Sequence, residues 1–152
     1  MGREDGHAIL SSTCFQLGIT GAQITRSFSL LIQHTGLTHK QVGLLAVVDT
    51  GQASSQREIA ARLGVAPSLV VSLVDQLASI GAVRRTRSRT DRRVQVIEIT
   101  DDGRQLLRLA TDAAKKLDTD LRKHLSHADL QALDRLLPAL LQASSVAADN
   151  RA

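Results

Sequence analysis

"QREIAARLGVAPSLVVSLVDQL", residues 56–77, decides the fold of this chain. Two helices that cross steeply through a short turn need a small residue where they touch and a turn residue that tolerates positive φ. They also need apolar side chains at set offsets. Ala60 is the small residue, Gly64 falls in the turn, and Ile59, Leu63, Val65, Val70 and Leu73 supply the apolar set. Ser55 with Glu58 makes a capping box that opens the first helix, and Pro67 suits the first turn of the second. With Gly81 as a stop, residues 55–80 read as a helix-turn-helix.

The next residues change character. "VRRTRSR" (83–89) and "RVQVIEIT" (93–100) are rich in β-branched residues, and the Thr90-Asp91 pair between them reads as a turn. A two-stranded hairpin over 83–100 follows. Residues 84–93 hold six arginines and one carboxylate, a net +5 on a chain whose total is +4. A run of like charge is by default a solvated loop. Flanked by strands and adjoining a helix-turn-helix, it reads instead as a wing. In that geometry the recognition helix enters the major groove, and arginine at the hairpin tip is drawn to the negative potential of a narrow minor groove.

Helical spacing extends on both sides. Ile9, Leu10, Phe15, Leu17, Ile19, Ile24, Phe28, Leu31 and Ile32 predict a long helix over 7–33, with Gly18 and Gly21 as its weak points. Thr38 with Gln41 caps a second helix. After "TDDG" a helix runs from about 101 toward Leu125, and Ser126 with Asp129 caps a last one carrying Leu130, Leu133, Leu136, Leu137, Leu140 and Leu141. Pro138 predicts a kink, and 147–152 a frayed end. The expected architecture is mainly α with a small β-hairpin, one domain over 1–152 with its winged helix-turn-helix at 38–100. The apolar faces of 7–33 and 101–146 are too extensive for so small a middle region to cover. A homodimer intertwined through both termini would bury them.

Composition narrows the functional classes. At 43% apolar and 22% charged residues the chain reads as globular, and no apolar run is long enough to span a bilayer. The first residues lack the basic-then-apolar order of a signal peptide, so a cytoplasmic location is expected. One cysteine excludes an internal disulfide. With two phenylalanines and no Trp or Tyr, stacking on single-stranded nucleic acid is not expected. The five histidines lack a metal-binding pattern, no catalytic constellation stands out, and neither metal nor cofactor is expected.

The outward face of the recognition helix is Ser68, Val71, Ser72 and Gln76. The serines can bond phosphate or base, Gln76 could pair with adenine, and Val71 could pack on a thymine methyl. No arginine lies on that face, so bidentate guanine readout from the helix is excluded. Arg84, Arg85, Arg87 and Arg89 lie along the hairpin as phosphate contacts, although an ion pair with the helix layer beneath is an open alternative for Arg84 and Arg85.

Taken together, "LASIGAVRR" (77–85) and "DRRVQVIEITDDG" (91–103) resemble the MarR family of transcriptional regulators, and the likeness covers nearly the whole chain. It implies a homodimer on a palindromic double-stranded operator, with repression usually relieved by a small ligand. Asp91 resembles the family's wing aspartate, which pairs with an arginine to hold the hairpin in shape. Arg92 and Arg93 fall on the wing arginines, one of which enters the minor groove. Many relatives carry Thr and Arg where this chain has Val71 and Ser72.

The resemblance also raises the question of a signal. Small aromatic or phenolic ligands bind between the dimerisation helices and the DNA-binding region in the family, where Arg26, Phe28, His34 and His39 would lie; ordinary packing and surface duty is the competing reading for each. Peroxide-sensing relatives place a reactive cysteine in a "Cys-Phe" setting like that of Cys14. Their partner tyrosines are missing here, and no cation stands between residues 10 and 18 to lower the thiol pKa. Cys14 is therefore expected to be a small buried residue, with a thiol-based redox repressor as the alternative. A second alternative is an architectural DNA-binding protein without regulation.

Overall fold

The computed structural model describes residues 2–149, with side-chain environments for 4–145. Its helices are α1 (Gly2–Ser11), α2 (Thr13–Leu31), α3 (His39–Asp49), α4 (Gln56–Leu63), α5 (Pro67–Ser79), α6 (Asp101–Arg122) and α7 (His127–Asp149). A 3-10 turn (Gln33–Thr35) joins α2 to α3, and the strands β1 (Val83–Arg87) and β2 (Gln95–Ile99) follow α5. Two compact units divide within α6 after Ala114.

Local chemistry explains most boundaries. Thr38 and Gln41 form a complete capping box at α3, as Ser55 and Glu58 do at α4. Each satisfies backbone N–H groups that a helix start leaves without partners. Gly64 ends α4 at φ 62°, a left-handed conformation that costs glycine little. Pro67 opens α5, where its missing N–H is not needed.

The expected single helix over 7–33 is broken, at neither glycine but at Ser12, which is extended with φ −67° and ψ 144°. Ser11 Oγ donates to the His7 carbonyl at 2.9 Å and Ser12 Oγ to that of Ile9 at 2.6 Å. Two adjacent hydroxyls thus compete for carbonyls at a point that needs no glycine. In the second unit α7 continues through Pro138. Of the stretch 147–152 expected to fray, α7 includes residues up to Asp149, and 150–152 lie outside the described residues.

The core of the first unit joins α3, α4, α5 and the hairpin. Leu44, Leu45, Ile59, Val70, Val74 and Leu77 are fully buried, and Val83, Ile97 and Ile99 add the inner face of the strands. A buried side chain of this size contributes roughly 1.5–3 kcal/mol. Ala60, the small residue expected where the two helices touch, is 4% exposed in this core. The two strands pair antiparallel with Arg84 opposite Glu98 and Arg85 opposite Ile97.

Candidate nucleic-acid interface

Helix α5 presents two faces. Val70, Leu73, Val74 and Leu77 point into the core, while Ser68, Val71, Ser72 and Gln76 are exposed. Val71 is 40% exposed, a large apolar side chain on an otherwise polar surface. Gln76 already engages both amide atoms inside the protein, which leaves it one N–H and one lone pair for a base. Its Oε1 accepts from Gln41 Nε2 at 2.8 Å, and its Nε2 donates to Ser72 Oγ at 3.2 Å. Asp75 shares the exposed side and was missed in the sequence, although it lies three residues from Ser72 and four from Val71, the spacing of one helix face.

The six arginines of 84–93 separate into two groups. Arg84 Nε donates to Glu98 Oε2 at 3.0 Å across the strand pair, and the Arg85 guanidinium pairs with the Asp75 carboxylate on α5. Arg84 holds the Glu98 carboxyl below the usual carboxylate range. The ion pair with the helix layer is thus present for Arg85, whereas Arg84 pairs within the hairpin. Arg87, Arg89, Arg92 and Arg93 are exposed and have no side-chain hydrogen bond or ion pair among the described residues. Four uncompensated cations therefore sit at and beyond the strand ends.

The expected two-residue turn at the tip is a longer loop over 88–94, since the strands stop at Arg87 and restart at Gln95. Ser88 N–H donates to the Val94 carbonyl at 2.9 Å and closes this loop. Inside it, Asp91 departs from the expected arginine pairing. Its Oδ1 accepts from the backbone N–H of Arg93 at 2.9 Å, and no arginine side chain reaches it among the described residues. Asp91 shapes the wing through the backbone, as a short carboxylate does in a turn.

Two further contacts anchor the hairpin. Ile97 N–H donates to the Ser54 carbonyl at 2.8 Å, tying β2 to the residues before α4. Thr100 Oγ1 donates to the Gly81 carbonyl and accepts from Gly103 N–H at 3.1 Å, so one hydroxyl links the end of α5 to the start of α6.

The ligand and redox candidates are less assembled. Phe28 and His39 meet edge to face, with ring centroids 6.0 Å apart and planes at 86°. Arg26 and His34 are exposed, and no polar side-chain contact joins them to that pair among the described residues. Cys14, expected to be a small buried residue, is exposed in the single chain. Phe15 and Leu17 beside it are exposed as well, so the α2 start has no core to enter. The Cys14 thiol meets Ser12 Oγ at 3.5 Å.

Comparison with known proteins agrees with this arrangement. The profile of the MarR family matches residues 35–94, from the turn before α3 to the wing loop. A Thauera aromatica protein named as a putative transcriptional regulatory protein for the hcr operon is 33% identical over 121 residues, 79% of this chain and 73% of that protein. HTH-type transcriptional regulator TtmR of Methylorubrum extorquens (strain PA1) is 33% identical over 105 residues. That match takes 69% of this chain and 54% of TtmR, so the chain spans about half the length of this relative. Among solved structures, the transcriptional repressor CouR bound to a 23-mer DNA duplex matches with a TM-score of 0.77 and 27% identity, over 86% of this chain and 92% of CouR. CouR from Rhodococcus jostii RHA1 bound to p-coumaroyl-CoA matches with 0.75 and 26%, over 87% and 93%. No described helix is long and apolar enough to cross a membrane. From the helix-turn-helix of α4 and α5, the arginine-tipped hairpin and these relatives, the chain belongs to the MarR family of winged helix-turn-helix transcriptional regulators.

Proposed function

We propose that the chain acts as a homodimeric repressor that binds a palindromic operator and releases it when a small aromatic ligand binds. The observation that carries the DNA reading is the set of four uncompensated arginines, Arg87, Arg89, Arg92 and Arg93, on a hairpin adjoining the exposed face of α5. Ser68, Val71 and Ser72 supply contacts in the major groove, and the wing arginines hold phosphate and the minor groove.

Dimerisation is supported by apolar surface at both ends. Ile9, Leu10, Phe15, Leu17 and Ile19 are exposed near the N-terminus, and Leu136, Leu137, Leu140 and Leu141 near the C-terminus, Leu141 at 71%. Soluble monomers rarely leave so many large apolar side chains in water. The ligand reading rests on the Phe28–His39 pair and on CouR, which holds p-coumaroyl-CoA. An aromatic acid or its thioester is the class that follows.

Fluorescence anisotropy on labelled DNA from upstream of the chain's own gene tests this reading, with sedimentation to give the mass of the bound species. A regulator prefers its operator over random duplex by roughly 10³-fold or more. Equal affinity for both would indicate an architectural protein. Release by p-coumaroyl-CoA or p-coumarate, and not by acetyl-CoA, supports the aromatic class.

A further inference from the structure

We propose that Gln41, buried behind α5, fixes the direction of the Ser72 hydroxyl and makes Ser72 a reader of hydrogen-bond acceptors on DNA. This role rests on the reading that the exposed face of α5 meets the duplex.

The backbone N–H of Thr38 can only donate, and it meets Gln41 Oε1 at 2.8 Å. The Gln41 amide nitrogen therefore faces the other way, toward the Gln76 side chain at 2.8 Å. Because that nitrogen donates, the Gln76 atom it meets must be the oxygen. The Gln76 nitrogen then faces Ser72 Oγ at 3.2 Å and donates to it. Reversing either amide would set N–H against N–H. Ser72 oxygen is thus an acceptor inside the protein, and its proton makes no hydrogen bond among the described residues.

Burial makes the arrangement one-way. Gln41 is 8% exposed, the one buried polar residue among those described, so its amide cannot turn to water for a partner. Ser72 and Gln76 are exposed at the far end of this relay. The only group left to donate outward from Ser72 is its hydroxyl proton. Such a donor matches N7 or O6 of guanine, N7 of adenine, O4 of thymine or a phosphate oxygen. N4 of cytosine or N6 of adenine would have to use the second lone pair of an oxygen that already accepts from Gln76, and would leave the hydroxyl proton unpaired. Gln41 is a positioning residue, 35 positions from Gln76 in sequence, with no contact to DNA required of it.

The test is in vitro selection from a random duplex pool by the full chain. Gln41→Glu keeps an acceptor for Thr38 N–H and keeps the capping box, but offers no N–H to Gln76. Gln76 must then turn over to donate, and Ser72 must donate inward. The added negative charge weakens every duplex alike, so the readout is base preference at each position rather than affinity. Ser72→Ala should reduce the preference at one position by roughly two- to tenfold, the range of a single net hydrogen bond. Gln41→Glu should reduce it at the same position, and the double variant no further. Gln76→Glu, which also forces Ser72 to donate inward, should repeat the loss and covers the case that Gln41→Glu fails to fold. Selection by Gln41→Glu or by Gln76→Glu of the wild-type base at that position overturns the inference, as does Ser72→Ala without effect on any position. A wild-type chain that selects no sequence overturns the DNA reading as well.

Discussion

Arg85 on β1 and Asp75 on α5 form an ion pair that joins the wing to the recognition helix. Both side chains keep solvent access, 30% and 59%, so the pair adds only about 0.2–1 kcal/mol to stability. Its larger effect is on charge. Asp75 stands three residues from Ser72, and without Arg85 its carboxylate would face the phosphates uncompensated. Arg85→Ala should weaken binding to every duplex. Adding Asp75→Asn should recover part of that affinity. A double variant no better than Arg85→Ala would mean that Arg85 touches phosphate itself.

The unpaired arginines predict a different signature. Replacing Arg92 and Arg93 together by Ala should weaken specific and random duplexes alike. It should also flatten the plot of log affinity against log salt by about 0.9 for each phosphate that is no longer neutralised. Arg84→Ala, which removes a cation already paired with Glu98, should change the slope less. Equal slopes for the wild type and the double variant would show that neither Arg92 nor Arg93 neutralises a phosphate.

Gly103 allows the start of α6 to lie against the residue before β1. A Cβ at this position would overlap the Ala82 carbonyl oxygen and stand 2.8 Å from Ile99 Cγ1. The carbonyl also accepts from Thr100 N–H at 3.0 Å and has little room to retreat. Gly103→Ala should cost at least the roughly 1–3 kcal/mol of ordinary overpacking. For a chain of this size that lowers Tm by roughly 2–12 °C. Calorimetry showing an unchanged Tm would refute so close an approach.

Glu58 makes the fold sensitive to acid. Backbone N–H groups of Ser55 and Ser54 bond its carboxylate and hold its pKa below the usual value. A carboxyl lowered on folding stabilises the fold above its unfolded pKa, and that contribution is lost as the pH falls from about 4.5 through the folded value. Glu58→Gln keeps a capping side chain but no titration. Urea unfolding between pH 6 and about 3 should show a shallower loss of stability for the variant than for the wild type.

Cys14 separates a ligand-responsive regulator from a redox one. Cys14→Ser should leave DNA binding, and its response to mild peroxide, as in the wild type. The thiol is exposed, but Ser12 Oγ is its only polar side-chain partner among the described residues. A hydroxyl does not stabilise a thiolate as a cation does. Reversible release of DNA by low peroxide in the wild type and not in the serine variant would establish the redox alternative.

The capping boxes at Thr38, Ser55 and Ser126, Gly64 in its turn and Pro67 at a helix start were legible in the sequence, because both partners in each lie within a few residues. The hairpin was legible from its β-branched residues, but not its loop, which Ser88 and Val94 close through the backbone. The Ser12 break hides in an unbroken apolar pattern and depends on which carbonyls two hydroxyls choose. That Gln76 is already engaged could not be read from the sequence, because its partner, Gln41, approaches it only in the folded chain. For Arg84 and Arg85 an ion pair stayed only an alternative for the same reason. Side-chain type indicated what could touch DNA, and tertiary pairing indicates which groups are already occupied.

The bond from Ile97 N–H to the Ser54 carbonyl bears on self-association. A two-stranded ribbon has two open edges, each a template on which another chain could add a strand. Here the loop before α4 occupies part of the β2 side. The β1 side remains, yet three of its five residues are arginine. Arg84 and Arg85 there are balanced by Glu98 and Asp75, but Arg87 has no partner among the described residues, so a second copy approaching that edge would set like charge against it and be repelled. Salt should weaken that repulsion, and a substitution that neutralises Arg87 should make the chain prone to sheet-like aggregation.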